Sequence, residues 1–112
     1  MKPQPRVKLS KLRDIGWTLW DPIGLLVGQG KWDDEDNLSF ADEYDRYLIS
    51  AASQLRRGIP KTEIVNYLVD IEANYMGLGT VFNSYQRAHA VVEAIQADKD
   101  IWTYPDEQGR FK

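Results

Sequence analysis

Residues 39–58 read SFADEYDRYLISAASQLRRG, and this stretch decides the fold class. It starts like a helix. Ser39 or Asp42 can cap the first turn, and Asp42, Glu43 and Asp45 place negative charge where the helix dipole favours it. Tyr44, Leu48, Ala51, Ala52 and Leu55 then fall on one side of a 3.6-residue repeat. It also stops like a helix. Arg56 and Arg57 occupy the last turn, and Gly58 is the residue type that adopts the left-handed conformation just past a helix end.

Helical spacing continues on both sides. Downstream, Pro60 suits the first turn of a third helix, along which Ile64, Leu68, Ile71 and Tyr75 recur, flanked by Val65 and Tyr67. Gly77 and Gly79 end it. Asn83 or Ser84 opens a fourth helix that runs to about Asp98, with Tyr85, Ala88, Val92 and Ile95 on one face and Val91 beside it. Upstream, Leu9, Leu12, Ile15 and Leu19 form an apolar stripe widened by Trp17 and Trp20. Gly16 weakens this first helix by about 1 kcal/mol relative to alanine, and Pro22 stops it near Trp20. Ile23 to Phe40 reads as a long irregular loop, turned at Gly24, Gly28 and Gly30, with room for a short helical turn or a functional role. Ile101 to Tyr104 is a short apolar segment that can lie extended across the helices with Trp102 as anchor, followed by a turn at Tyr104-Pro105-Asp106.

The expected architecture is therefore all-α, a compact bundle of about four helices. A long acidic loop joins the first two. One domain covers residues 1–112, with Met1–Pro5 as a flexible tail and residues 106–112 as an exposed one.

Composition narrows the chemistry. Apolar residues make up 43% of the chain and charged residues 28%, which favours a folded domain over a disordered one. There is no cysteine, so disulfides, thiolate metal sites and cysteine nucleophiles are all excluded, and a reducing, cytoplasmic setting is expected. Met1 to Ser10 is basic and polar with no apolar stretch after it, which argues against a signal peptide. No apolar run approaches the roughly 20 residues that span a bilayer, so no membrane partner is expected.

Net charge is −3, and its distribution is uneven. Residues 1–13 carry five basic residues and no acid. Residues 33–45 carry Asp33, Asp34, Glu35, Asp36, Asp42, Glu43 and Asp45 and no base. The basic end offers nucleic acid only salt-sensitive, non-specific contact, which makes it the weakest partner class.

No phosphate-binding glycine loop, zinc-protease or nucleophile-elbow motif occurs. No catalytic residue, metal or cofactor is assigned. The one histidine, His89, precedes Glu93 by one helical turn. It reads either as a half-packed boundary residue or as a general base. Asp33, Glu35, Asn37 and Ser39 alternate as a calcium loop begins. The match then fails at Leu38, where glycine is needed, and at Tyr44, where glutamate is needed. The acidic run is thus a solvated loop or a recognition surface. Trp32 stands among these acids off any periodic face and, if exposed, could anchor a partner.

Trp20-Asp21-Pro22-Ile23-Gly24 is the most distinctive segment. As a helix stop, Asp21 bonds local backbone, Pro22 breaks the helix, and Trp20 and Ile23 pack inward. As a recognition loop, it would expose an aromatic ring. This segment, followed after the acidic loop by Asp42-Glu43-Tyr44-Asp45 and the third-helix pattern, resembles the YugE-like group of small bacterial helical proteins over about residues 9–78. The resemblance implies a compact helical fold and no particular chemistry.

Binding another protein, with a basic one matching the charge of the acidic run, is the leading expectation, as for an immunity or antitoxin-like adaptor. Its candidate face is Trp32, Asp33, Asp34, Glu35, Asp36, Asp42, Glu43 and Asp45. The alternative is a small-ligand protein or enzyme with a pocket formed by Trp17, Trp20, His89 and Glu93. A homo-oligomer is the third reading.

Overall fold

The computed structural model describes residues 5–26 and 30–104. Residues 1–4 of the expected tail at 1–5, the tail at 106–112, the Pro105 turn and Gly28 lie outside the described residues. Strand β1 (Arg6–Val7) leads into helix α1 (Leu9–Leu19). A 3-10 helical segment covers Glu35–Phe40. Helices α2 (Asp45–Arg56), α3 (Lys61–Asp70) and α4 (Ser84–Ala97) follow, and strand β2 (Trp102–Thr103) closes the order. The four helices touch one another in sequence and across the α2–α4 diagonal.

Each helix buries one stripe. Leu12 and Trp17 of α1, Leu48, Ala51 and Ala52 of α2, Ile64 and Leu68 of α3, and Ala88, Val91, Val92 and Ile95 of α4 share one core. Burial of these side chains is the main stabilising term, at roughly 25 cal/mol per Å². In α1 the buried line is centred on Leu12, Gly16 and Trp20, not on Leu9, Ile15 and Leu19, which are only half-buried. The cause is Gly16. A Cβ there would stand 2.5 Å from Leu48 Cδ1, so the missing side chain lets α1 close onto α2. Its propensity cost is recovered as packing.

Three expectations need correction. The chain is mostly helical but not wholly so, because β1 and β2 pair antiparallel, Arg6 with Thr103 and Val7 with Trp102. The Lys8 amide extends this ribbon to the Ile101 carbonyl at 2.7 Å. Sequence periodicity could not reveal a pairing between segments so far apart. Helix α2 is not capped by the side chain of Ser39 or Asp42. It starts at Asp45, after a turn in which the Glu43 and Asp45 amides reach the Phe40 and Asp42 carbonyls. Its other end is as expected, with Gly58 at φ 87° and the Ile59 amide bonded to the Gln54 carbonyl.

The third correction concerns Tyr75, which does not continue the α3 stripe. After Asp70 the helix widens into a π-helical turn over Ile71–Tyr75, with the Met76 amide on the Ile71 carbonyl at 2.8 Å. A wider turn advances the register by one residue. Glu72 thereby turns inward and Tyr75 turns out to 64% exposure.

Candidate functional site

The two distinctive segments meet. Asp21 takes a left-handed conformation at φ 29°, which a short acidic side chain tolerates. Its carboxylate accepts the amides of Gly24, Leu25 and Leu26 at 3.0–3.1 Å and the Tyr44 hydroxyl at 2.7 Å. The same hydroxyl oxygen accepts the Ile23 amide. Burial first, and the bond to Asp21 second, hold the Tyr44 phenol protonated far above its usual range. The helix-stop reading of this segment is what the geometry shows for Asp21 and Trp20. Ile23 does not pack inward; it is exposed, with its amide donating to the Tyr44 hydroxyl.

Aromatic rings extend this junction. Trp17 lies 5.5 Å from Phe40 and 4.6 Å from Tyr44, Trp20 lies 5.4 Å from Tyr44, and Tyr47 links Trp20 to Tyr75. The Trp17 indole donates to the Ala41 carbonyl. The buried Trp20 indole N–H finds no acceptor among the described residues, and the Tyr47 ring stands edge-on to it.

Trp32 is not a free anchor. Its indole donates to Asp14 at 2.8 Å, and the Arg13 guanidinium lies 5.3 Å from the ring centroid. Arg13 also forms a two-pronged pair with Asp45 at 3.0 and 2.7 Å, and that hydrogen bond holds the guanidinium proton more firmly than usual. One arginine thus clamps the loop to α1 and α2.

The acids therefore separate into two groups. Asp45 is neutralised by Arg13, and Asp34 accepts the Lys31 amide of its own turn. Asp33, Glu35, Asp36, Asp42 and Glu43 are exposed, and their carboxylates make no hydrogen bond or ion pair with another described residue. Asn37 points inward at 2% exposure with its amide on the Lys31 carbonyl, so it is turned away from a calcium-ligand position. Among the described residues no group of three His, Cys, Asp or Glu could hold a metal ion.

Two depressions border some of these acids, Asp33 at one and Asp42 and Glu43 at the other. A cleft of about 780 Å³ is lined by Trp17, Asp21, Trp32 and Asp33 among others. A groove of about 390 Å³ is lined by Asp42, Glu43, Asp45, Arg46, Tyr47 and Tyr75. In it Arg46 donates to the Tyr75 hydroxyl at 3.3 Å.

The alternative pocket is not assembled. Trp17 and Trp20 are core residues at 4% and 2% exposure. His89 stands on the outer side of α4, with its side chain 61% exposed and Nε2 3.5 Å from Glu93. Glu93 pairs with Lys61 at 2.7 Å, and that bond holds its carboxyl below the usual range.

One polar centre was not anticipated. Glu72 is buried at 2% exposure, receives both terminal nitrogens of Arg87 at 2.8 Å, and accepts the Ser84 hydroxyl at 2.7 Å. Arg87 also donates to the Trp20 carbonyl. The network ties the end of α1, the π-helical turn and α4 together. The available sequence signal is that Glu72 and Arg87 frame an uncharged stretch, Ala73–Gln86. Comparison with protein-family models, curated proteins and solved structures gave no match, so no relative's site residues bear on these assignments.

Proposed function

We propose that this protein is a protein-binding module that docks a basic partner on its acidic face. The observation that carries the reading is the sorting of the acids. Asp33, Glu35, Asp36, Asp42 and Glu43 are exposed with no side-chain hydrogen bond or ion pair among the described residues, and two of them, Asp42 and Glu43, line a groove together with Tyr47 and Tyr75. An unpaired negative surface speeds encounter with a positive one, and an aromatic lining supplies the short-range anchor. An adaptor or an inhibitor of a basic protein fits this description. The absence of cysteine suits a cytoplasmic setting, and no helix among the described residues is long and apolar enough to cross a membrane. Membership of the YugE-like group is proposed on the two joined segments and adds a fold expectation only.

The test is affinity capture followed by association kinetics across a salt series. Asp33, Glu35, Asp36, Asp42 and Glu43 are each changed to lysine, while Asp34 and Asp45 stay because they hold the local structure. The expected result is a basic protein retained by the wild type and lost by the variant, with an association rate that falls as salt rises. A partner bound equally by both, with no salt dependence, refutes the acidic face.

A further inference from the structure

Among the described residues, the stretch 31–41 is held to the helices by side chains alone. Its main-chain hydrogen bonds are local: the Asp34 amide donates to the Lys31 carbonyl, the Asn37 amide to Asp34 and the Ala41 amide to Leu38. None reaches a helix or strand of the described chain. The bonds and ring contacts that fasten it come from α1. Trp17 donates its indole N–H to the Ala41 carbonyl at 3.2 Å and packs against Phe40. Asp14 receives the Trp32 indole, and the Arg13 guanidinium lies against the Trp32 ring. Arg13 is itself fixed by its two-pronged bond to Asp45, so Trp32 rests on a platform built by α1 and α2 together.

The stretch is also tied to itself. The Lys31 amide sits on the Asp34 carboxylate at 2.9 Å, and the Asn37 side-chain amide sits on the Lys31 carbonyl at 2.7 Å. These bonds join its start to its middle, so it lets go as one piece. Its burial is light. Trp32 and Phe40 are half-buried, and Leu38 is exposed. Asp33, Asp34, Glu35 and Asp36 stand in a row with Lys31 as the one base of the stretch. Their mutual repulsion opposes the compact form.

Few apolar contacts, exposed hydrogen bonds and self-repulsion are the conditions under which a segment opens at a lower free energy than the whole fold. We infer that residues 31–41 form a strap that comes off α1 as a unit while the helices stay packed, with the stack of Trp32 on Arg13 as its latch. Opening uncovers Trp17, which is 4% exposed when Phe40 and Ala41 lie against it. The device exchanges an acidic surface for an aromatic one. It is a property of the free chain and does not depend on the acidic face having a partner.

The test is native-state hydrogen exchange of the full chain, followed by NMR at low urea concentrations. The Trp17 indole N–H and the Asn37 and Ala41 amides report the strap, because a detached six-residue turn does not protect its own amides. The amides of Leu68 in α3 and Val91 in α4 report the helices. The three strap protons share one opening constant, about 10-fold or more above that of the helix amides. It depends only weakly on urea, because little surface is exposed. Arg13→Gln raises the strap constant by about 10-fold or more, the change expected when a hydrogen-bonded charged group is lost. Val92→Ala, a cavity in the core, speeds the helix amides by about 10-fold and leaves the strap protons unchanged, since their contacts are the same before and after opening. Strap protons that share the constant and urea slope of Leu68 and Val91 overturn the strap. So does a strap constant that rises with Val92→Ala, and one unmoved by Arg13→Gln overturns the latch.

Discussion

Replacing Tyr44 by phenylalanine removes one oxygen and keeps the ring in tilted contact with Trp17 and Trp20. The lost oxygen makes two bonds, one donated to the Asp21 carboxylate at 2.7 Å and one accepted from the Ile23 amide at 3.1 Å. A hydrogen bond to a charged group contributes about 1.5–3 kcal/mol. The Ile23 bond adds little, because Ile23 is 41% exposed and water can replace the partner. Asp21 keeps three backbone amides, so its charge is not stranded. The expected loss is about 2 kcal/mol, a large part of the 5–15 kcal/mol that stabilises a typical domain. For a chain of this size it lowers Tm by about 8 °C or more. Urea unfolding followed by tryptophan fluorescence and circular dichroism gives the value, and a cycle with Asp21→Asn isolates the pair. A Tyr44→Phe protein within about 0.5 kcal/mol of the wild type, or no coupling to Asp21, would show that the junction of the two segments does not stabilise the fold.

Three further outcomes are expected. Because the folded Tyr44 phenol titrates above its unfolded value of about 10, stability is full below that pH and falls as pH rises past it, by up to about 1.4 kcal/mol per pH unit. Urea midpoints on either side of pH 10 measure this, and the slope shrinks in Tyr44→Phe. Glu72→Leu strands the Arg87 guanidinium at the end of α1 and costs about 2–4 kcal/mol. The double change with Arg87→Met recovers most of it, since a removed pair is cheaper than a broken one; equal losses in both proteins would argue against the pairing. Gly16→Ala gains about 1 kcal/mol of helix propensity but presses on the enclosed Leu48 at a cost of about 1–3 kcal/mol. Thermal melts should show net destabilisation, and a stabilised variant would mean that α1 and α2 are not in close contact there.

How much was legible depended on the range of the interaction. The α2 stripe from Tyr44 to Ala52, the Gly58 stop and the Pro22 break are local, and local periodicity and turn chemistry carry them. Ala88, Val91, Val92 and Ile95 were found for the same reason. Tyr85 and Tyr75 look equally apolar in the sequence, yet one sits at the open rim of α4 and the other follows a register shift. For the acidic face, the sequence supplied the charges at Asp33–Asp45 but could not say which were spoken for. Arg13 lies 32 positions from Asp45, and Asp14 lies 18 from Trp32.

The sequence by itself determined that this protein is mainly helical, where three of its helices stop, and which residue types can do chemistry. Tertiary structure alone decided that Asp21 and Tyr44 form one junction, that Glu72 and Arg87 are an internal pair, and that Trp32 is clamped. The physical reason is that helix formation is governed by neighbours within about four residues. Burial and charge pairing depend on which distant segments the packed core brings within hydrogen-bonding reach.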